Sequence, residues 1–162
     1  MNRILFLICF LISIQFLCCN GTDNISVVPS IKYLGISKSE LRQSSVNIDS
    51  LWLQISFEDG DGDIGFTHPD DRPEIVVIDG RTNNEQDRFN IPDLPESENK
   101  VLKGTIAIRI YTTCCLFNNG AAPCDSPPSV PFDSIQYHIY LIDRAGHQSN
   151  VVTSEFVRLR CI

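Results

Sequence analysis

Asp59, Asp61 and Asp63 occupy alternate positions with Gly60 and Gly62 between them. Alternate carboxylates on a tightly turned backbone can bring several hard oxygens to one point, which is the ligand chemistry of calcium. The same residues have a plainer use. Glycine permits positive φ in a turn, and aspartate side chains there accept from nearby backbone N–H groups. The spacing leaves both readings open. Asp70 and Asp143 complete the acidic set expected of a calcium site, provided their loops meet the first. Carboxylates crowded in this way repel one another unless a cation, Arg72 or Arg144 intervenes.

Set against an EF-hand loop beginning at Asp59, the ninth position is Thr67 and the twelfth Asp70, but the sixth is Ile64 where that loop needs glycine. With its ligand set incomplete, the loop predicts an affinity in the extracellular range, roughly 10⁻⁴ to 10⁻³ M. Calcium is the one cofactor the residues suggest, and the fold requires none. Catalysis finds less support. His68, His138 and His147 are the only histidines, and neither G-x-S-x-G nor H-E-x-x-H occurs. No catalytic residue is assigned, and a non-enzymatic protein is expected.

The elements that must position these residues read as strands. Leu51, Leu53, Ile55 and Phe57 alternate with Trp52, Gln54 and Ser56; Ile106, Ile108 and Ile110 alternate with Ala107 and Arg109. The same period of two runs through Ile135, Tyr137, Ile139 and Leu141, and again through Val157 and Leu159. Such alternation marks strands with one buried and one wet face. Ile75-Val76-Val77-Ile78 is a β-branched run leading into an Asp79-Gly80 turn. Further strands are expected at Ile31 to Ile36 and, more weakly, at Arg88 to Ile91, with a short helical turn at Ser37 to Gln43 as the one competing reading. The sum is an all-β domain, an immunoglobulin-like antiparallel β-sandwich of about seven strands. In that topology the loops 59–70 and 143–149 gather at one pole.

The segment Asp143-Arg144-Ala145-Gly146-His147-Gln148-Ser149, between alternating Tyr137 to Leu141 and a final strand, resembles the last hairpin of bacterial immunoglobulin-like and fibronectin type III-like modules. Their pattern is D-x-A-G-N-x-S, with His147 here in place of Asn. Together with Phe57 to Gly65 and Leu102 to Ile106, the layout resembles small exported lipoproteins of Bacteroidota-type bacteria. The resemblance spans residues 30–160 and implies fold and lineage rather than chemistry.

Residues 1–18 read as a lipoprotein-type signal peptide: Arg3, an apolar run from Ile4 to Leu17, and Cys18-Cys19 before a polar stretch. The exit resembles a lipobox with Cys19 as the acylated residue, although Phe16 and Cys18 replace its usual Leu and small residue. Ordinary cleavage near Asn20 is the alternative. A tether of residues 19–30 and a domain of residues 31–162 follow. The expected address is the cell envelope, with the chain anchored to the outer membrane by its lipid and facing an unidentified protein or glycan partner.

Composition narrows the partners further. Loss of the signal removes one base, Arg3, so that 12 basic residues face 20 acidic ones and the net charge moves from −7 to −8. Without a Lys/Arg cluster, an acidic chain is a poor ligand for nucleic acid or for anionic lipid headgroups. Cys114, Cys115, Cys124 and Cys161 form an even set in an exported body, which predicts two disulfides. Cys114 continues the inward parity of Ile106 to Ile110, and Cys161 that of Val157 and Leu159. The parity predicts Cys114–Cys161 and Cys115–Cys124, with a vicinal Cys114–Cys115 bridge as the rival.

Overall fold

The computed structural model describes residues 25–65, 75–92, 94, 101–117, 120, 124 and 130–161. Ten strands are present among them: β1 (Ser30–Ile36), β2 (Glu40–Arg42), β3 (Ser50–Asp59), β4 (Ile75–Asp79), β5 (Asn84–Phe89), β6 (Leu102–Tyr111), β7 (Phe132–Ile135), β8 (Tyr137–Leu141), β9 (Val152–Thr153) and β10 (Val157–Arg160). No helix occurs among the described residues, so none there is long and apolar enough to cross a membrane. The all-β sandwich expected from the alternation is the observed class.

Three sheets build it, in the orders β1-β3-β6, β2-β10-β7 and β5-β4-β8-β9. β3 and β6 pair antiparallel over ten residues, from Ser50↔Tyr111 to Asp59↔Leu102. Their inward residues, Leu51, Leu53, Ile55, Phe57, Ile108 and Ile110, join Ile75, Val77, Tyr137, Ile139 and Leu141 in one core that also takes in Leu41, Ile135, Val157 and Leu159. Removing this apolar surface from water is the dominant favourable contribution to the fold. Val76, on the other side of β4, is buried as well, which accounts for a β-branched run without alternation.

Ten strands replace about seven because one expected run is split, a short strand forms at Glu40–Arg42, and a two-residue strand at Val152–Thr153 precedes the last one. The run from Ile135 to Leu141 keeps its period of two but changes partners at Gln136: β7 pairs with β10, and β8 with β4 and β9. Periodicity reports which face is buried and is blind to which neighbour takes the hydrogen bonds. Ser37 to Gln43 is no helical turn. Leu41 is buried between Glu40 and Arg42 as β2, parallel to β10, with Gln43 N donating to Arg160 O and Arg158 N to Ser39 O. The fourth and fifth strands form the expected hairpin, but β5 begins at Asn84, and the turn uses Asn83 at a φ of 57°.

The disulfide pairing is the reverse of that predicted. Cys114 joins Cys124, and Cys115 joins Cys161. β6 ends at Tyr111, and the alternation does not carry past it: Thr112 is buried as expected, but the next fully buried position is Cys115 rather than Cys114. Parity slips by one residue once the ladder ends, and that slip exchanges the two partners. For Cys161 the inward parity held, since Val157, Leu159 and Cys161 are all fully buried.

Candidate functional site: the aspartate pole

β3 delivers Asp59 as its last residue, inward-facing and fully buried. Beyond it the chain turns sharply. Gly60 N donates to Ser26 O at 2.9 Å, and a Cβ on Gly60 would stand 2.4 Å from the carbonyl oxygen of Ile25, so only glycine fits against the incoming tether. Gly62 follows at a φ of 70°, and Ile64 then plugs into the core at 2 % exposure. Ile64 is therefore an anchor for the loop, at the position where an EF-hand would need glycine. From the other side, the loop after β8 brings Asp143, 2 % exposed, to the same place.

Carboxylate oxygens of Asp59, Asp63 and Asp143 lie within 4.8 Å of one another. One oxygen of each of the first two is committed to the backbone: Asp59 Oδ2 accepts from Asp63 N at 3.0 Å, and Asp63 Oδ2 from Ala145 N at 2.9 Å. Their Oδ1 atoms are buried and accept no hydrogen bond from the described residues. Asp143 accepts from His147 N at 2.7 Å and makes a 2.9 Å contact with His147 Nδ1. The plain reading holds for the Oδ2 atoms, while the Oδ1 atoms are left over.

The electrostatics are lopsided. Burial, then the charge of Asp61, then those of Asp63 and Asp143 push the Asp59 carboxyl up to about 6. Burial and the Asp143 charge also raise Asp63, against the Ala145 N–H and Arg144. Arg144 is less of a counter-ion than its position suggests, because its Nε and its backbone N both donate to the carbonyl oxygen of Asp63. Oxygens that share a calcium ion at about 2.3–2.6 Å stand up to roughly 5 Å apart, so this trio has the right span for one hard cation.

Of the five aspartates expected at a calcium site, three converge. Asp61 is exposed and contributes its charge from outside the trio. Asp70, like His68 and Arg72, lies outside the described residues, as does Cys19. His147 meets Asp143, and His138 sits at the β8 surface with Nδ1 2.9 Å from Thr153 Oγ1.

Sequence reasoning missed the opposite pole, where Arg81 holds two carboxylates. Its Nη2 donates to Asp79 Oδ2 at 2.6 Å, its Nη1 to Asp133 Oδ2 at 2.5 Å and to Cys114 O at 3.2 Å. Asp133 also accepts from Leu116 N and Ser134 N. The available signal was Asp79 and Arg81 flanking a turn glycine, an arrangement too common to single out. Comparison with family models, with curated proteins and with solved structures finds no match for this chain.

Proposed function

We propose that the chain is a non-enzymatic, lipid-anchored lipoprotein of the cell envelope whose immunoglobulin-like domain binds or scaffolds a partner outside the cytoplasm. The observation that carries this reading is a doubly disulfide-bonded all-β body behind an apolar leader ending in Cys18-Cys19. The entry point of the tether supports an orientation. Ser26 is bonded to Gly60, so a chain leading from an acylated Cys19 would reach the domain at the aspartate pole. The ten residues of β3 would then hold the disulfide pole about 30 Å further out.

Fractionation of cells expressing wild type and Cys19→Ala tests the anchor. Wild type should sediment with the outer membrane and the variant should be released. Equal membrane retention, or an unmodified N-terminus at Asn20 by mass spectrometry, would remove the lipoprotein reading.

A second reading, a calcium-dependent adhesion or carbohydrate-binding module, is favoured by the buried, unpartnered Oδ1 atoms of Asp59 and Asp63. Leaving buried carboxylate oxygens unpaired is costly unless a cation completes them. Calcium bound there would tie the loop after β3 to the loop after β8 and stiffen that end of the sandwich. Titration calorimetry should give a single site in the roughly 10⁻⁴ to 10⁻³ M range, lost in Asp59→Asn.

A further inference from the structure

The outer face of the β1-β3-β6 sheet carries the chain's only tryptophan. Trp52 is 49 % exposed, and Leu34, in the region where the β1 register shifts, is 53 % exposed. Solvent-facing strand positions ordinarily hold polar or small residues, yet about half of this one stands open to solvent. Its cross-strand neighbour is Arg109, fixed in place by a 2.9 Å bond from Nε to Ser50 Oγ and by stacking 5.0 Å above the Tyr111 ring. Four residues along β3 from Trp52, about 13 Å away, the same face opens into a hollow of about 380 Å³. Ser30, Ser56 and Thr105 line it with hydroxyls, and Lys32 and Lys103 with amines. Lys103 pairs with Glu58, whereas Lys32 has no carboxylate partner among the described residues.

Among the described residues, three cations against the single carboxylate of Glu58 make this face positive on a chain of net charge −7. That segregation, rather than the apolar area, identifies the occupant. One ring and one leucine are too little for the cluster of buried anchors at the centre of a protein interface. A sugar ring, by contrast, offers an apolar face to stack on indole and equatorial hydroxyls for Ser, Thr and Gln side chains. The 13 Å span suits a short run of sugars, and Arg109 and Lys32 call for carboxylates on them.

We propose that this face binds a linear acidic polysaccharide of the uronate type, laid along β3 with one sugar stacked on Trp52. The inference rests on reading the chain as a binding domain and supplies its ligand class. The test is affinity electrophoresis of the mature protein in detergent with EDTA, through gels holding polygalacturonate, alginate or neutral dextran. Retardation is expected with at least one uronate polymer, weakening as salt is added, and none with dextran. The lone tryptophan should change its fluorescence on binding. Trp52→Ala should lower the affinity about tenfold or more and Trp52→Tyr much less, while Lys32→Ala and Arg109→Ala should each lower it several-fold and flatten the salt dependence. These side chains are exposed, so matching melting temperatures will verify the fold. Equal retardation by dextran, none in either uronate gel, or Trp52→Ala running as wild type would overturn the proposal. Melting with calcium in parallel samples separates the two ideas, since a lost glycan effect beside an intact calcium effect refutes this inference alone.

Discussion

The two poles of the sandwich both gather aspartates, and they treat them in opposite ways. At the disulfide pole, Asp79 and Asp133 share Arg81, whose side chain is only 10 % exposed. Burial would raise Asp133, but the N–H groups of Leu116 and Ser134 together with Arg81 outweigh it and hold the carboxyl below its ordinary range. Arg81 is raised in turn, the two carboxylates overcoming the burial that would lower it. Gln43 adds a bridge, accepting from Cys115 N and donating to Cys161 O beside the bond that joins those cysteines. Among the described residues of the aspartate pole no arginine side chain pairs with the carboxylates, two oxygens are orphaned, and Asp59 and Asp63 are both raised. Among the described residues one pole is electrically complete and the other is one cation short. The contrast separates an acidic cluster whose charges are paired from one that keeps unpaired buried oxygens.

The largest expected effect breaks the complete pole. Arg81→Met leaves two carboxylates without their cation and should destabilise by about 3–5 kcal/mol in denaturant unfolding. Adding Asp79→Asn and Asp133→Asn should recover much of that loss, because the charge left behind, not the missing contact, is what destabilises. Next come the cross-links. Replacing Cys115 and Cys161 together by serine opens a bridge of sequence separation 46 and should lower stability by about 4 kcal/mol on the chain-entropy account, whereas the Cys114–Cys124 bridge, of separation 10, should contribute about 3. Non-reducing peptide mapping checks the pairing, and a Cys114–Cys161 peptide would restore the parity argument at the end of β6.

How far that parity reached explains what was legible. Wherever a ladder exists, alternation placed side chains correctly: Leu51 to Phe57 inward, Trp52 and Gln54 outward, Val157 and Leu159 inward; Cys161, one residue past β10, stays in step, its N–H donating to Pro131 O at 2.9 Å. The meeting of the 59–63 loop with Asp143 also followed from sandwich topology, since both loops leave strands at the same pole. What failed lies beyond or between ladders. Cys114 and Cys115 sit past the last pair of β6, where no hydrogen-bond register enforces a period of two. β2 is three residues long, too short to reveal a period, and Gln136 changes the sheet without changing the pattern. Arg81 was invisible because its second partner, Asp133, is 52 residues away.

A smaller effect distinguishes the poles by pH. The raised Asp59 is protonated in the folded state below about 6, whereas its ordinary value is 3.8, so in calcium-free buffer stability should rise as pH falls through that window and level off beneath it. Asp133 is lowered, so its contribution is present above the ordinary 3.8 and is lost as pH drops further. Thermal melts in EDTA should therefore peak at about pH 4–5. Asp59→Asn should remove the rise between pH 6 and 4 and leave the acid loss below it; a profile unchanged by that substitution would assign the rise elsewhere.

Melting of the full protein at pH 7, in EDTA and in 10 mM calcium, tests the cation-short pole most directly. With a dissociation constant of about 10⁻³ M, mass action adds about 1.4 kcal/mol, a rise of roughly 5 °C for a domain of this size. Asp59→Asn/Asp63→Asn should melt above wild type in EDTA, relieved of repulsion, and should not respond to calcium. Wild type that melts at the same temperature with and without calcium, or a double variant that gains as much from calcium as wild type does, would contradict the account.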